Sequence, residues 1–192
     1  NEVKLAIATS DLKAVKFVLG YGKDHHMGQH FWASNERVIS WEWKNLGYLD
    51  GRWQRAQLLG FDIDGKNRET IFVPARSYIR IFSRLRHDPE NILVGKYHYA
   101  DECEVTLQKL SVKDGELDYQ AGIPMMTARS DIVDVAVDTA DEVRIAIEVN
   151  SGDDEYDDMD DTASFHYKTA AGKWKKLNID SNRPAAEWFR LG

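Results

Sequence analysis

The sequence predicts an all-β fold built from antiparallel four-stranded repeats, with propeller blades as the leading architecture and a β-sandwich as the alternative. Three observations predict it. Apolar residues alternate with a period of two, the period of a half-buried strand, in most of the ordered-looking segments. Two short markers recur in the same order along the chain. No segment carries the 3.6-residue apolar stripe of a helix.

The alternation is clearest in Val3, Leu5 and Ile7, in the VISWEW run from Val38 to Trp43, in YIRIF from Tyr78 to Phe82, and in VRIAIEV from Val143 to Val149. Strands are expected near 2–8, 14–20, 36–44 and 52–59; near 69–74, 77–84, 93–99 or 103–110, and 116–120; and near 142–149, 163–169 and 173–179, with a further one at 186–191. The first marker is a Glu ahead of an alternating run, at Glu2, Glu69 and Glu142. The second is a glycine turn, at Asp50-Gly51, Asp114-Gly115 and Ala171-Gly172. Asp-Gly pairs supply the positive-φ positions that tight hairpins need. Together the markers frame approximate repeats over 1–66, 67–139 and 140–192. About four short strands per unit suggest propeller blades, although propellers typically have four to eight blades. The chain therefore reads as part of a longer propeller or as a self-associating one.

Composition narrows the function. The 192 residues carry a net charge of −7, so the basic footprint of a nucleic-acid binder is missing. No run of about 18 apolar residues is present to cross a membrane as a helix. A single cysteine, Cys103, excludes an internal disulfide and a cysteine-based zinc site. The chain starts at Asn1, without Met or a hydrophobic leader, and reads as a processed or cut fragment.

The most specific string is Leu59-Gly60-Phe61-Asp62-Ile63-Asp64-Gly65-Lys66-Asn67-Arg68-Glu69-Thr70-Ile71-Phe72-Val73. It resembles the calcium loop of integrin-like FG-GAP (VCBS-type) β-propeller repeats, in which D-x-D-G-D-G-x-x-D/E precedes an apolar strand. Asp62, Asp64 and Gly65 match its opening and Glu69 its end; the loop is one residue short, and Lys66 stands where a third acid belongs. The resemblance implies calcium held by Asp62, Asp64 and Glu69, since calcium takes six to eight oxygen ligands. It also implies an adhesion role and an extracellular or periplasmic setting. Without metal, the same residues read as an acidic turn, with the Lys66 ammonium neutralising the carboxylates. A degenerate copy keeps acids at Asp134, Asp138 and Glu142.

Other constellations carry less. Asp153 to Asp161 holds seven carboxylates in nine residues, the pattern of a solvated loop. His25, His26 and His30 lie close in sequence and read as a polar loop or, with Asp24, a partial metal set. Six tryptophans offer flat apolar faces on which sugar rings stack. Trp32, Trp41 and His98 are the candidate ligand-binding residues. Trp53 and Trp174 share a repeat phase and are expected to pack between sheets. The preferred function is a non-enzymatic binding or adhesion module that recognises a glycan or a protein. A propeller polysaccharide lyase or hydrolase, using His98 with a Tyr and an Arg in one cleft, is the enzymatic alternative, and a structural domain of a larger secreted protein is the third.

Overall fold

The computed structural model describes residues 4–45, 54–75, 77–98, 104–124, 130–150 and 162–177. These residues form strands and connecting turns, with no helix among them. A two-stranded sheet comes first, β1 (Lys4–Ala8) with β2 (Val15–Gly20). Three four-stranded sheets follow. The first contains β3 (His25–Trp32), β4 (Arg37–Asn45), β5 (Gln54–Asp62) and β6 (Glu69–Phe72). The second contains β7 (Ser77–Arg84), β8 (Asn91–His98), β9 (Glu104–Ser111) and β10 (Leu117–Pro124). The third contains β11 (Ser130–Val137), β12 (Val143–Asn150), β13 (Thr162–Lys168) and β14 (Trp174–Leu177). All are antiparallel, and within each sheet every strand pairs with its neighbours in the chain.

The three sheets are framed differently from the sequence repeats 1–66, 67–139 and 140–192. They run from 25 to 72, from 77 to 124 and from 130 to 177, equal stretches of chain. The glutamate marker misled, because Glu69 opens the last strand of its sheet while Glu142 precedes the second strand of another. The glycine that keeps phase is the one between the third and fourth strands: Gly65 (φ 83°), Gly115 (φ 80°) and Gly172 (φ 77°). Gly51, the expected first member, lies outside the described residues.

Two strands escaped the sequence reading. β3 covers the His25-His26-Met27-Gly28-Gln29-His30 stretch, whose polar residues and glycine mimic a loop. Its edge position tolerates them, and a bulge between Met27 and His30 absorbs the irregular pattern. β11 covers Asp134, the first acid of the degenerate match, while Asp138 and Glu142 fall in the turn that follows it.

The chain divides into two compact units, Asn1–Ala75 with Asp88–Ile92 and Lys109–Asp118, and Arg76–His87 with Leu93–Gln108 and Tyr119–Gly192. In the first, Ile7, Leu19 and Tyr21 pack with Val38, Leu59 and Phe61. The two-stranded sheet thereby covers one face of β3–β6. In the second, Leu85, Leu93, Tyr97, Val105, Leu107 and Ile123 pack with Ile132, Val135, Val143 and Ala146. Trp174 is half-buried against this core, as expected of a packing tryptophan; Trp53 lies outside the described residues.

The hairpin joining β11 and β12 shows what the acids in these turns do. Asp138 N–H donates to the Glu142 carbonyl at 2.9 Å, and Asp141 N–H to the Asp138 carbonyl at 3.1 Å. Asp138 Oδ1 accepts the N–H of Ala140 at 2.8 Å and of Glu142 at 3.1 Å, and its Oδ2 meets Arg144 Nε at 2.6 Å. Asp141 takes the left-handed position (φ 62°) and accepts the N–H of Arg86 at 2.8 Å and of His87 at 2.6 Å. Those two donors, His87 first, hold its carboxyl below the ordinary value. A carboxyl lowered on folding stabilises at full strength above its unfolded value, and that contribution is lost as pH falls through the folded one. We therefore expect the Asp141 carboxyl to titrate below its unfolded value in an NMR pH series. Titration at about 3.9, the ordinary value, would show the clamp absent.

Candidate functional site

The aromatic residues of the first four-stranded sheet form the candidate site. β4 pairs with β5 in unbroken register, from Arg37 opposite Asp62 to Asn45 opposite Gln54. Alternation therefore puts Arg37, Ile39, Trp41 and Trp43 on one face and Val38, Ser40 and Glu42 on the other. The second face is the one covered by β1 and β2, where the Tyr21 hydroxyl meets Ser40 Oγ at 2.7 Å.

On the open end of the first face, the Trp41 and Trp43 rings lie 6.3 Å apart and are inclined at 33°. Phe72, brought in by its pairing with Leu58 on β5, meets Trp41 edge-on at 6.4 Å and 87°. Trp43 is 37% exposed. His26 on β3 stands directly opposite Trp43 and is exposed, so a polar ring borders the indole. The bulge in β3 makes the approach possible. A Cβ on Gly28 would stand 2.6 Å from Trp43 Nε1 and 2.8 Å from Trp41 Cβ, so only a glycine backbone lies this close to both tryptophans.

Behind the aromatics, Glu42 is buried at 3% exposure. Its Oε1 meets His25 Nδ1 at 2.6 Å, and its Oε2 accepts a hydrogen bond from Gln57. A matching pair occurs in the second unit, where the fully buried Glu148 meets His166 Nε2 at 2.6 Å. Both glutamates sit on the second strand of their sheets. No sequence signal marks them, because each sits where strand alternation alone would place an ordinary core residue.

The sequence-chosen ligand residues are not brought together. Trp32 pairs with Val38, so it stands on the opposite face of the sheet from Trp41, 46% exposed. His98 ends β8, and its side chain lies outside the described residues. The equipment sought for a lyase has a partial counterpart in the second unit, with different chemistry. The Tyr97 ring stacks on Tyr78 with centroids 4.6 Å apart, and its hydroxyl donates to the Ile132 carbonyl. Arg80 pairs with Asp131 at 2.7 Å and donates to the same carbonyl at 3.1 Å. Burial pushes the Tyr97 hydroxyl well above its ordinary value. A phenol committed to a backbone carbonyl and an arginine committed to a carboxylate are holding strands β7, β8 and β11 together.

The calcium set does not converge. Asp62 Oδ1 accepts Arg37 Nη1 at 2.7 Å, and its Oδ2 accepts Asn67 Nδ2 at 2.6 Å. Asp64 meets Lys66 Nζ at 2.8 Å and accepts the Lys66 N–H at 3.0 Å. Glu69 is an exposed strand residue opposite Gly60. No group of three or more His, Cys, Asp or Glu side chains among the described residues is placed to hold a metal ion. The string is a hairpin turn, closed by Asp62 N–H to the Lys66 carbonyl at 2.9 Å and Gly65 N–H to the Asp62 carbonyl at 2.8 Å. Lys66 supplies the cation. The Asp153 to Asp161 run and Cys103 lie outside the described residues.

Asp62 also lines a polar cleft of about 770 Å³, with Glu36, Arg37, Asn67, Glu90 and Lys113 among its walls. Its floor is self-satisfied, since Arg37 donates to the carbonyls of Val112 and Lys113 as well as to Asp62.

No protein-family model and no curated protein matches the chain. Among solved structures, it is similar to an oligogalacturonate lyase in complex with manganese, at 11% identity and a TM-score of 0.49, over 85% of this chain and 38% of that one. The chain thus spans well under half the length of that protein.

Proposed function

We propose that the chain is a non-enzymatic binding module that holds a glycan against the Trp41–Trp43 face of its first four-stranded sheet. The observation that supports this reading is the pair itself: two indoles inclined at 33° and 6.3 Å apart, one of them 37% exposed, with a polar His26 beside it. Aromatic faces offer broad, rigid apolar area at low entropic cost, and the apolar C–H side of a pyranose matches it. The three consecutive four-stranded sheets support a blade-like scaffold that holds this face rigid.

The test is a panel of neutral and acidic oligosaccharides, followed by calorimetry and by tryptophan fluorescence. Binding is expected to quench the fluorescence. Trp43→Ala should weaken it about tenfold or more, a change of roughly 1.4 kcal/mol. Trp32→Ala, on the opposite face, should leave affinity unchanged. Affinity that survives Trp43→Ala, or a panel with no ligand at all, would overturn the reading.

A further inference from the structure

We propose that the outer face of the β11–β14 sheet is a self-association surface, on which a second copy of this chain packs sheet against sheet about a two-fold axis. The pairing register fixes what this face carries. One row across the sheet reads Ala136, Ile145, Tyr167 and Lys175. The next reads Asp134, Ile147, Phe165 and Leu177. The third row, Asp131, Val149 and Ala163, closes the apolar part, because Ala163 is buried and Asp131 is paired with Arg80. The inner face, with Ile132, Val135, Val143 and Ala146, is buried in the core of the second unit. A sheet with one face in water alternates apolar inside with polar outside. Here β12 and β13 put isoleucine, valine, phenylalanine and tyrosine on the outside as well. Ile145 is 42%, Tyr167 36% and Leu177 45% exposed. Contiguous apolar surface of this kind marks an interaction site.

Charge identifies the occupant. Asp134, exposed on β11, flanks one side of the apolar centre, and Lys175, exposed on β14, flanks the other. A two-fold axis running along the strands turns the sheet over and exchanges its sides. The acidic flank of one copy then lies over the basic flank of the other, twice in the same interface. A surface that complements itself in this way is the signature of an isologous pair of identical subunits. Stacking one sheet on another is also how this chain buries the inner face of its own first sheet, beneath β1 and β2.

Sedimentation equilibrium tests the proposal. The wild-type chain is expected at twice its 22.0 kDa mass, and Ile145→Asp at 22.0 kDa, with circular dichroism confirming that the variant remains folded. Lys175→Glu should shift the equilibrium toward monomer, and adding Asp134→Lys to it should restore the dimer by exchanging the charges. A wild-type monomer, or a dimer that survives Ile145→Asp, would overturn the proposal. If Ile145→Asp does not fold, the charge-exchange pair decides: no loss with the single change, or no recovery with the double, overturns it equally.

Discussion

Gly115→Ala is expected to destabilise the chain by roughly 2–5 kcal/mol, from two separate penalties. The left-handed conformation costs an L-residue about 1–2 kcal/mol, and Gly115 has φ 80°. A new Cβ there would also stand 2.1 Å from the Ile71 carbonyl oxygen, which is backbone and cannot swing aside. Forcing that shift adds roughly 1–3 kcal/mol. At about 2–4 °C per kcal/mol for a chain of this size, the melting temperature should fall by on the order of 10 °C. Gly172 provides the internal control. It has φ 77°, and a Cβ added to it would meet nothing within 4 Å, so Gly172→Ala incurs the conformational penalty alone. Equal losses in the two variants, measured by thermal unfolding, would show that the Ile71 contact is not rigid.

Arg37→Ala should rank beside it. Arg37 is 8% exposed, and its guanidinium ties the start of β4 to the Asp62 carboxylate and to the carbonyls of Val112 and Lys113. Its removal strands those acceptors at once. Breaking a buried pair costs about 3–5 kcal/mol, but Asp62 is 30% exposed and recovers some hydration. We therefore expect a loss of roughly 2–4 kcal/mol. Lys66→Ala removes a pair whose partners are 78% and 52% exposed and should have no measurable effect. Urea unfolding of both variants, in chelator and with calcium, separates the roles. A loss at Arg37 no larger than at Lys66 would sink the argument, and a calcium-dependent stability that disappears with Asp62 would reinstate a metal.

The strands that the sequence announces are those with β-branched and aromatic alternation, such as Val38 to Trp43 and Val143 to Val149. Their register, and the sheet order built on it, follow from local chemistry. β3 was illegible because an edge strand interrupted by a bulge need not alternate, and histidines with glycine imitate a loop. The proposed binding face was half legible. Trp41 stood out by type, but its companion is Trp43, and what admits them both is Gly28, a residue with no side chain to notice. Trp32 looked equivalent to Trp41, yet the parity of its pairing with Val38 sends it to the other face. Asp62 was visible as an acid in an acidic string, while its partner Arg37 is 25 residues away and joins it only through strand pairing. Glu42 and Glu148 were invisible for the same reason, since a buried carboxylate is made tolerable by an imidazole contributed from another strand.

Every strand in the described sheets pairs with the strand next to it in the chain. This has a kinetic consequence. All-β proteins fold slowly when their pairings close long loops, because the entropy of closure must be met before any contact rewards it. Here each hairpin closes a loop of at most 11 residues, and each sheet grows by adding the next strand as the chain supplies it. Folding should accordingly proceed sheet by sheet and faster than the strand content alone suggests, with chain breaks between sheets far better tolerated than breaks within one.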